Sequence, residues 1–241
     1  MGSGVAMTKR LGLLAAGLVA LGLSGCGNDM NAGLMGGLPI KALMQSALAQ
    51  VGIGGQAQAA AAPAAAPDPA QVAASRKMLE DAGLPLYIIQ NKDLGLLAYF
   101  GKLGQNGDVV TWSTPDYVTV SLRDGMIVAT RGFGPDIMSS VAPTTAQIAR
   151  GSGATHRRYY YLDAADQIQR FDYQCLVRDA GIEVITLIGK DYRTHRVDEA
   201  CSGQQGSFVN SFWFEGSTKL RQSSQHLAPG IANLLVQKII D

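Results

Sequence analysis

The chain has 241 residues, a formal net charge of +1 and 47% hydrophobic residues. A near-neutral chain lacks the electrostatic footprint with which phosphate-neutralising proteins hold nucleic acid, so nucleic-acid binding is excluded as a leading reading. The length suits one domain with an appended segment.

The first charged cluster, Thr8-Lys9-Arg10, precedes an apolar run from Leu11 to Gly22. A basic start followed by roughly a dozen apolar residues has the pattern of a signal peptide and is too short for a membrane-spanning helix. The run closes on Leu23-Ser24-Gly25-Cys26, which resembles the lipobox of bacterial lipoproteins. Small Ser24 and Gly25 let a peptidase close on the backbone, and Leu23 fills an apolar pocket. That resemblance implies a diacylglyceryl group on the Cys26 thiol, cleavage before it, and a membrane partner reached through lipid. Several acyl chains hold a protein firmly where one does so only reversibly. The residue after Cys26 is Gly27 rather than Asp. By lipoprotein sorting, this implies the outer membrane of a two-membrane host. A plain secretory signal, or a buried N-terminal helix that happens to carry a Cys, is the alternative.

The expected organisation is a signal peptide over 1–25, a lipidated N-terminus and tether over 26–70, and a domain over 71–241. Pro39–Val51 spaces apolar residues as an amphipathic helix would, although a disordered segment fits equally well. Gly54–Ala70 is an Ala/Pro/Gln stretch with no large apolar side chain to offset the entropy of ordering. Extended at about 3 Å per residue, it could reach on the order of 50 Å. Asp68-Pro69 is a helix opening, Gln71–Ala82 holds helix formers, and Gly83 with Pro85 stops them.

Beyond Pro85 the period becomes that of strands. Asp108–Ser113, Asp116–Arg123 and Met126–Arg131 alternate and are β-branched, and Asp124-Gly125 joins the last two as a type I′ hairpin signal. Further strands are expected at His156–Leu162, Gln167–Arg178, Ile182–Lys190, Arg193–Glu199, Phe208–Phe214 and Ser217–Gln225. Turns are expected at Asp163–Asp166, Asp179–Gly181, Ser202-Gly203 and Glu215-Gly216. Ile231–Ile240 reads as a strand more readily than as a helix. The fold class is mainly β: an antiparallel meander closing into a barrel-like or sandwich domain, with a short N-terminal helix.

Cys175 and Cys201 are the cysteines besides Cys26, and export places them where paired thiols oxidise, so a disulfide is expected. No C-x-x-C redox motif is present. His156, His195 and His226 fall in no metal-ligand pattern, and no G-x-S-x-G elbow occurs. Glu183 with Glu199, or Asp163 with Asp166, would be the carboxylates to test as a glycosidase pair. Solvated carboxylates are the plainer reading. No catalytic residue, metal or cofactor is assigned, and no enzyme activity is expected.

His156-Arg157-Arg158-Tyr159-Tyr160-Tyr161 places Arg157, Tyr159 and Tyr161 on one face of a strand and His156, Arg158 and Tyr160 on the other. One face must pack on the core. Ordinary strand packing is one reading. The functional reading leaves Arg157 and Tyr159 free to meet glycan, with His156 and Tyr160 supporting the fold. Trp112 and Trp213 are expected in the core.

Asp108–Met138, with its Trp112 strand, Asp124-Gly125 hairpin and Thr130-x-Gly132-Phe133-Gly134 segment, resembles the YjbF family of group four capsule lipoproteins. The resemblance continues through His156 and Tyr160, Cys175, Glu199-x-Cys201, Phe208-x-Asn210-x-x-Trp213 and Ser223–Pro229. It covers roughly Pro85–Asp241, and the tether resembles nothing in particular. The resemblance implies a barrel-like outer-membrane lipoprotein associated with capsule or exopolysaccharide export, and brings no catalytic residue. Together these readings imply a non-enzymatic accessory factor at the periplasmic face, with polysaccharide or export-machinery components as partners. A structural scaffold and an unrecognised glycan-modifying enzyme are the alternatives.

Overall fold

The computed structural model describes residues 68–241. Cys26, the signal peptide and nearly all of the tether lie outside the described residues. The first element is helix α1, Pro69–Ala82. The Asp68 carboxylate accepts from the Ala70 N–H at 3.0 Å, Pro69 occupies the first turn, and Gly83 ends the helix at φ 61°. These are the cap, start and stop expected from their chemistry.

Twelve strands follow in one antiparallel sheet that curls into a nearly closed barrel. β1 (Leu86–Asn91), β2 (Leu96–Asn106), β3 (Val109–Ser113), β4 (Thr119–Arg123) and β5 (Met126–Arg131) run as a meander to one edge. The chain continues through β6 (Ser139–Val141), the short helix α2 (Thr145–Ala149), β7 (Ser152–Leu162) and β8 (Ile168–Leu187). It then forms β9 (Lys190–Gly203), β10 (Gly206–Glu215), β11 (Lys219–Gln225) and β12 (Leu234–Ile240), and β12 pairs with β1. The two edge strands, β5 and β6, are consecutive in the chain, so the seam falls where the chain crosses it. There Thr130 N–H donates to Ile137 O at 2.9 Å and Ser140 Oγ to Ile127 O at 2.8 Å.

The sheet buries both faces over much of its length. Tyr87, Ile89, Phe100, Trp112, Leu122, Tyr159, Tyr173 and Val236 face a common interior. Leu86, Ile88, Tyr99, Ile185, Leu187, Tyr192 and Trp213 form a second cluster with Leu79 of α1 on the outer face. Arg76 fastens the helix there, its guanidinium donating to Leu187 O at 2.6 Å and to Tyr192 Oη at 2.7 Å.

Several expectations are corrected. Asp179–Gly181 is a bulge inside the 20-residue strand β8 and not a turn. Gly181 takes φ 89°, and its N–H is held by Asp179 Oδ1 at 2.6 Å, so the extra residue is absorbed without breaking the pairing. The reversal comes later, at Ile188-Gly189, both with positive φ. Likewise β9 continues through Ser202-Gly203 before it turns. A Cβ on Gly203 would lie 2.4 Å from the Asp172 carbonyl oxygen, so that crossing admits only glycine. The barrel, the single N-terminal helix and the terminal strand β12 agree with the expected class.

Candidate functional site

Strand alternation divides β7 between the barrel interior and the solvent face. Arg157 and Tyr159 are each 1% exposed, so the expectation that they are free to meet glycan is corrected. The outward residues are His156 and Arg158, which with Arg170 converge on Asp172 at 3.1, 2.7 and 2.5 Å. That carboxylate lies at about 2, chiefly through the Arg170 and Arg158 hydrogen bonds. Periodicity had paired the residues correctly and could not say which side was inside.

Inside the barrel the buried side chains form a connected polar cluster. Arg157 Nε donates to Glu199 Oε2 at 2.6 Å, Asn210 Nδ2 to the same oxygen at 2.9 Å, and Thr155 Oγ1 to Oε1 at 2.7 Å. The Asn210 oxygen accepts from the His226 backbone N–H at 2.8 Å. The His226 ring stacks on Phe208 with centroids 3.9 Å apart, and its Nε2 has no hydrogen-bond partner. Burial first, and the Arg157 charge second, push the imidazole down to about 4. Burial raises the Tyr159 phenol, which therefore stays neutral. Gln225 ties the cluster to the hairpin, accepting from Ile127 N–H and donating to Gly125 O and Ser223 Oγ.

Cys175 and Cys201 stand opposite one another on β8 and β9 and are joined by a disulfide. With Glu199 they bring possible metal-ligand atoms within 4.8 Å. Both sulfurs are committed to the S–S bond, and Glu199 is bonded to Arg157, so this set has no thiolate to offer a metal ion. The carboxylates considered as a glycosidase pair have other tasks. Glu199 is buried in the ion pair, Glu183 accepts from Trp213 Nε1 at 2.9 Å, and Asp163 accepts from Ala165 N–H and Gln167 N–H in its turn.

The barrel also carries an open cleft of about 390 Å³. Its lining is apolar at Tyr87, Val110, Trp112, Leu122 and Leu220 and charged at Lys102, Lys219, Lys238, Asp124 and Asp241. The Tyr87 and Trp112 rings meet edge to face at 4.5 Å. Burial, reinforced by Asp241 and Asp124, raises the Tyr87 phenol. Asp241 takes contacts from Lys219 at 2.5 Å, Arg221 at 3.0 Å and Lys238 at 3.3 Å. Burial opposes its ionisation, but the Lys219 and Arg221 hydrogen bonds outweigh it and hold the carboxyl at about 2. Sequence reasoning had placed Trp112 in the core, where it belongs at 7% exposure, and had singled out none of the other lining residues for function. They come from six separate strands and the segments that flank them, so no local pattern announces them.

The chain is thus a twelve-stranded, nearly closed barrel with a disulfide-braced polar interior and a cleft lined in part by aromatic rings. Residues 45–239 match the model of the group 4 capsule polysaccharide lipoprotein family (gfcB, YjbF), and the chain belongs to that family. The match begins well upstream of Pro85, so the family likeness takes in part of the segment expected to resemble nothing. Of the landmarks that carry the resemblance, Glu199, Cys201, Phe208, Asn210 and His226 face the interior, whereas His156 lies outward and Trp213 in the outer cluster. The solved structure of the hypothetical lipoprotein YmcC from Escherichia coli (K12) is similar with a TM-score of 0.62 at 12% identity, covering 69% of this chain and 88% of that one. At that identity the likeness is one of fold. No curated protein matches the chain by sequence.

Proposed function

We propose that this lipoprotein is a non-enzymatic accessory factor of capsule or exopolysaccharide secretion. Lipid on Cys26 would hold it at the periplasmic face of the outer membrane, where it binds glycan or a component of the export machinery. Membership of a capsule polysaccharide lipoprotein family carries this reading. The lipobox supports the anchor, and no helix among the described residues is long and apolar enough to cross a membrane. Asp241 in the cleft suits binding better than the acid role of hydrolysis. A glycosidase acid needs a raised pKa, whereas Asp241 is held at about 2.

One observation favours docking to a protein component. β7 covers β8 only as far as Arg178, so between Gly181 and Leu187 β8 has a strand partner on the β9 side alone among the described residues. Ile182 and Val184 are 57% and 60% exposed on this stretch. An edge without Lys or Pro is open to strand addition by an extended partner segment.

Gene deletion should reduce surface polysaccharide, and the wild-type gene should restore it. Cys26→Ala should fail to restore it, with loss of palmitate labelling and of membrane fractionation. Unchanged surface polysaccharide after deletion would refute the reading.

A further inference from the structure

The cleft offers two unlike surfaces side by side. Tyr87 and Trp112, set edge to face, line it beside aliphatic Val110, Leu122 and Leu220, an apolar surface against which the C–H groups of a sugar ring can pack. Its volume of about 390 Å³ falls within the range of small-ligand pockets, roughly 300–1,000 Å³. The charged residues lining it are Lys102, Lys219 and Lys238 against Asp124 and Asp241, an excess of one positive charge (three minus two). These charges are unevenly engaged. Asp241 is surrounded by Lys219, Arg221 and Lys238, so its charge is already answered within the protein. Lys102 has no carboxylate partner among the described residues, and its ammonium donates to the neutral Gln105 side chain at 2.9 Å. Exchanging that amide for a ligand carboxylate gains a charge-assisted hydrogen bond and breaks no ion pair.

We propose that this cleft is a saccharide seat selective for acidic sugars, with the apolar lining around Tyr87 and Trp112 against the ring and Lys102, aided by Lys238, on its negative group. The proposal rests on the polysaccharide reading above and sharpens it, by naming both the place and the ligand class. It also moves the glycan contact away from Arg157 and Tyr159, whose burial leaves them nothing to meet. Lys102 is solvent-exposed, so added salt should weaken its contact.

The test uses the full-length lipoprotein in detergent, titrated with oligogalacturonate and, separately, with a neutral malto-oligosaccharide of equal length. Inorganic phosphate serves as the control for a simple anion. Trp112 lines the cleft and Trp213, the other tryptophan, lies in the outer cluster, so the fluorescence of a Trp213→Phe background reports on the cleft, and calorimetry gives an independent measure. Oligogalacturonate should bind at least tenfold more tightly than the neutral oligomer, and phosphate should not displace it at equal concentration. Lys102→Ala should weaken that binding several-fold with an unchanged melting temperature, and Lys102→Arg should retain most of it. Equal binding of the acidic and neutral oligomers, binding indifferent to both Lys102→Ala and Lys238→Ala, or no binding of either oligomer would overturn the proposal. So would displacement by phosphate. Failure here alongside loss of surface polysaccharide on gene deletion would remove the seat and leave the secretion role standing. Binding here with intact surface polysaccharide after deletion would do the reverse.

Discussion

Arg157 and Glu199 are 1% and 0% exposed as side chains; Glu199 accepts from Arg157, Asn210 and Thr155, and the Arg157 guanidinium also lies over the Phe212 ring. A buried pair of this kind adds little over a well-packed apolar replacement, but removing one partner strands the other charge, at a cost of about 3–5 kcal/mol. Arg157→Ala should therefore lower unfolding free energy by that order in a denaturant titration. The compensated double change Arg157→Met with Glu199→Leu should recover part of it. Loss of glycan retention with unchanged stability in Arg157→Ala would instead restore the surface role that burial argues against. His226 makes a prediction with a sign. Its folded pKa of about 4 lies below the ordinary 6.5, so the unfolded chain takes up the proton first as pH falls. Its contribution is complete above about 6.5 and is lost as pH drops toward 4, by about 3 kcal/mol at most. Asp172 and Asp241, both held at about 2, keep theirs until pH falls below about 3.8, a separate window. Stability measured from pH 7 to 4.5 should thus slope downward in the wild type and flatten in His226→Gln. An equal slope in both would remove His226 as the cause.

Elements were legible where a local rule decides them. Asp68, Pro69 and Gly83 bound α1, and Asp124-Gly125 adopts the two positive φ values, 47° and 83°, that a type I′ turn requires. A Cβ on Gly125 would also come within 2.7 Å of Leu220 Cδ2, so tight packing across the barrel reinforces the turn's own demand. β1 was not legible, for a physical reason. Its LYIIQN is apolar on both faces because one face meets the barrel interior and the other lies in the cluster that includes Leu79 of α1. Alternation marks only strands with a wet face. β2 carries Gly101 and Gly104 and shifts register between Lys102 and Gly104, which blurs its period. The disulfide belongs to this scale, because it clamps β8 to β9 on the far side of the bulge from their hairpin turn. Its sequence separation of 26 corresponds to roughly 3.5 kcal/mol in the chain-entropy account. Cys201→Ser should lower the denaturation midpoint accordingly, and so should reduction of the wild type. A midpoint unmoved by either would show that the hairpin pairing alone holds these strands.

For the molecule as a whole, residue chemistry alone settled the class. Short β-branched runs, tight turns and two cysteines beyond Cys26 specify a mainly β, disulfide-bearing domain, because alternation, hairpin turns and exported thiols are governed by local rules. The lipobox reading at Cys26 rests on sequence alone, since Cys26 lies outside the described residues. What the tertiary structure decided was the sign of each face. Alternation states that Arg157 and Tyr159 share a side, but only closure of β12 onto β1, with β5 and β6 meeting at the seam, makes that side the interior. The cleft depends on the same closure. Tyr87, Lys102, Trp112, Lys219 and Lys238 are scattered over more than 150 residues and become neighbours only when the ring of strands is complete. Short-range preferences fix which residues face the same way. Which of the two ways is inward depends on pairings between distant strands, and no local window of sequence contains them.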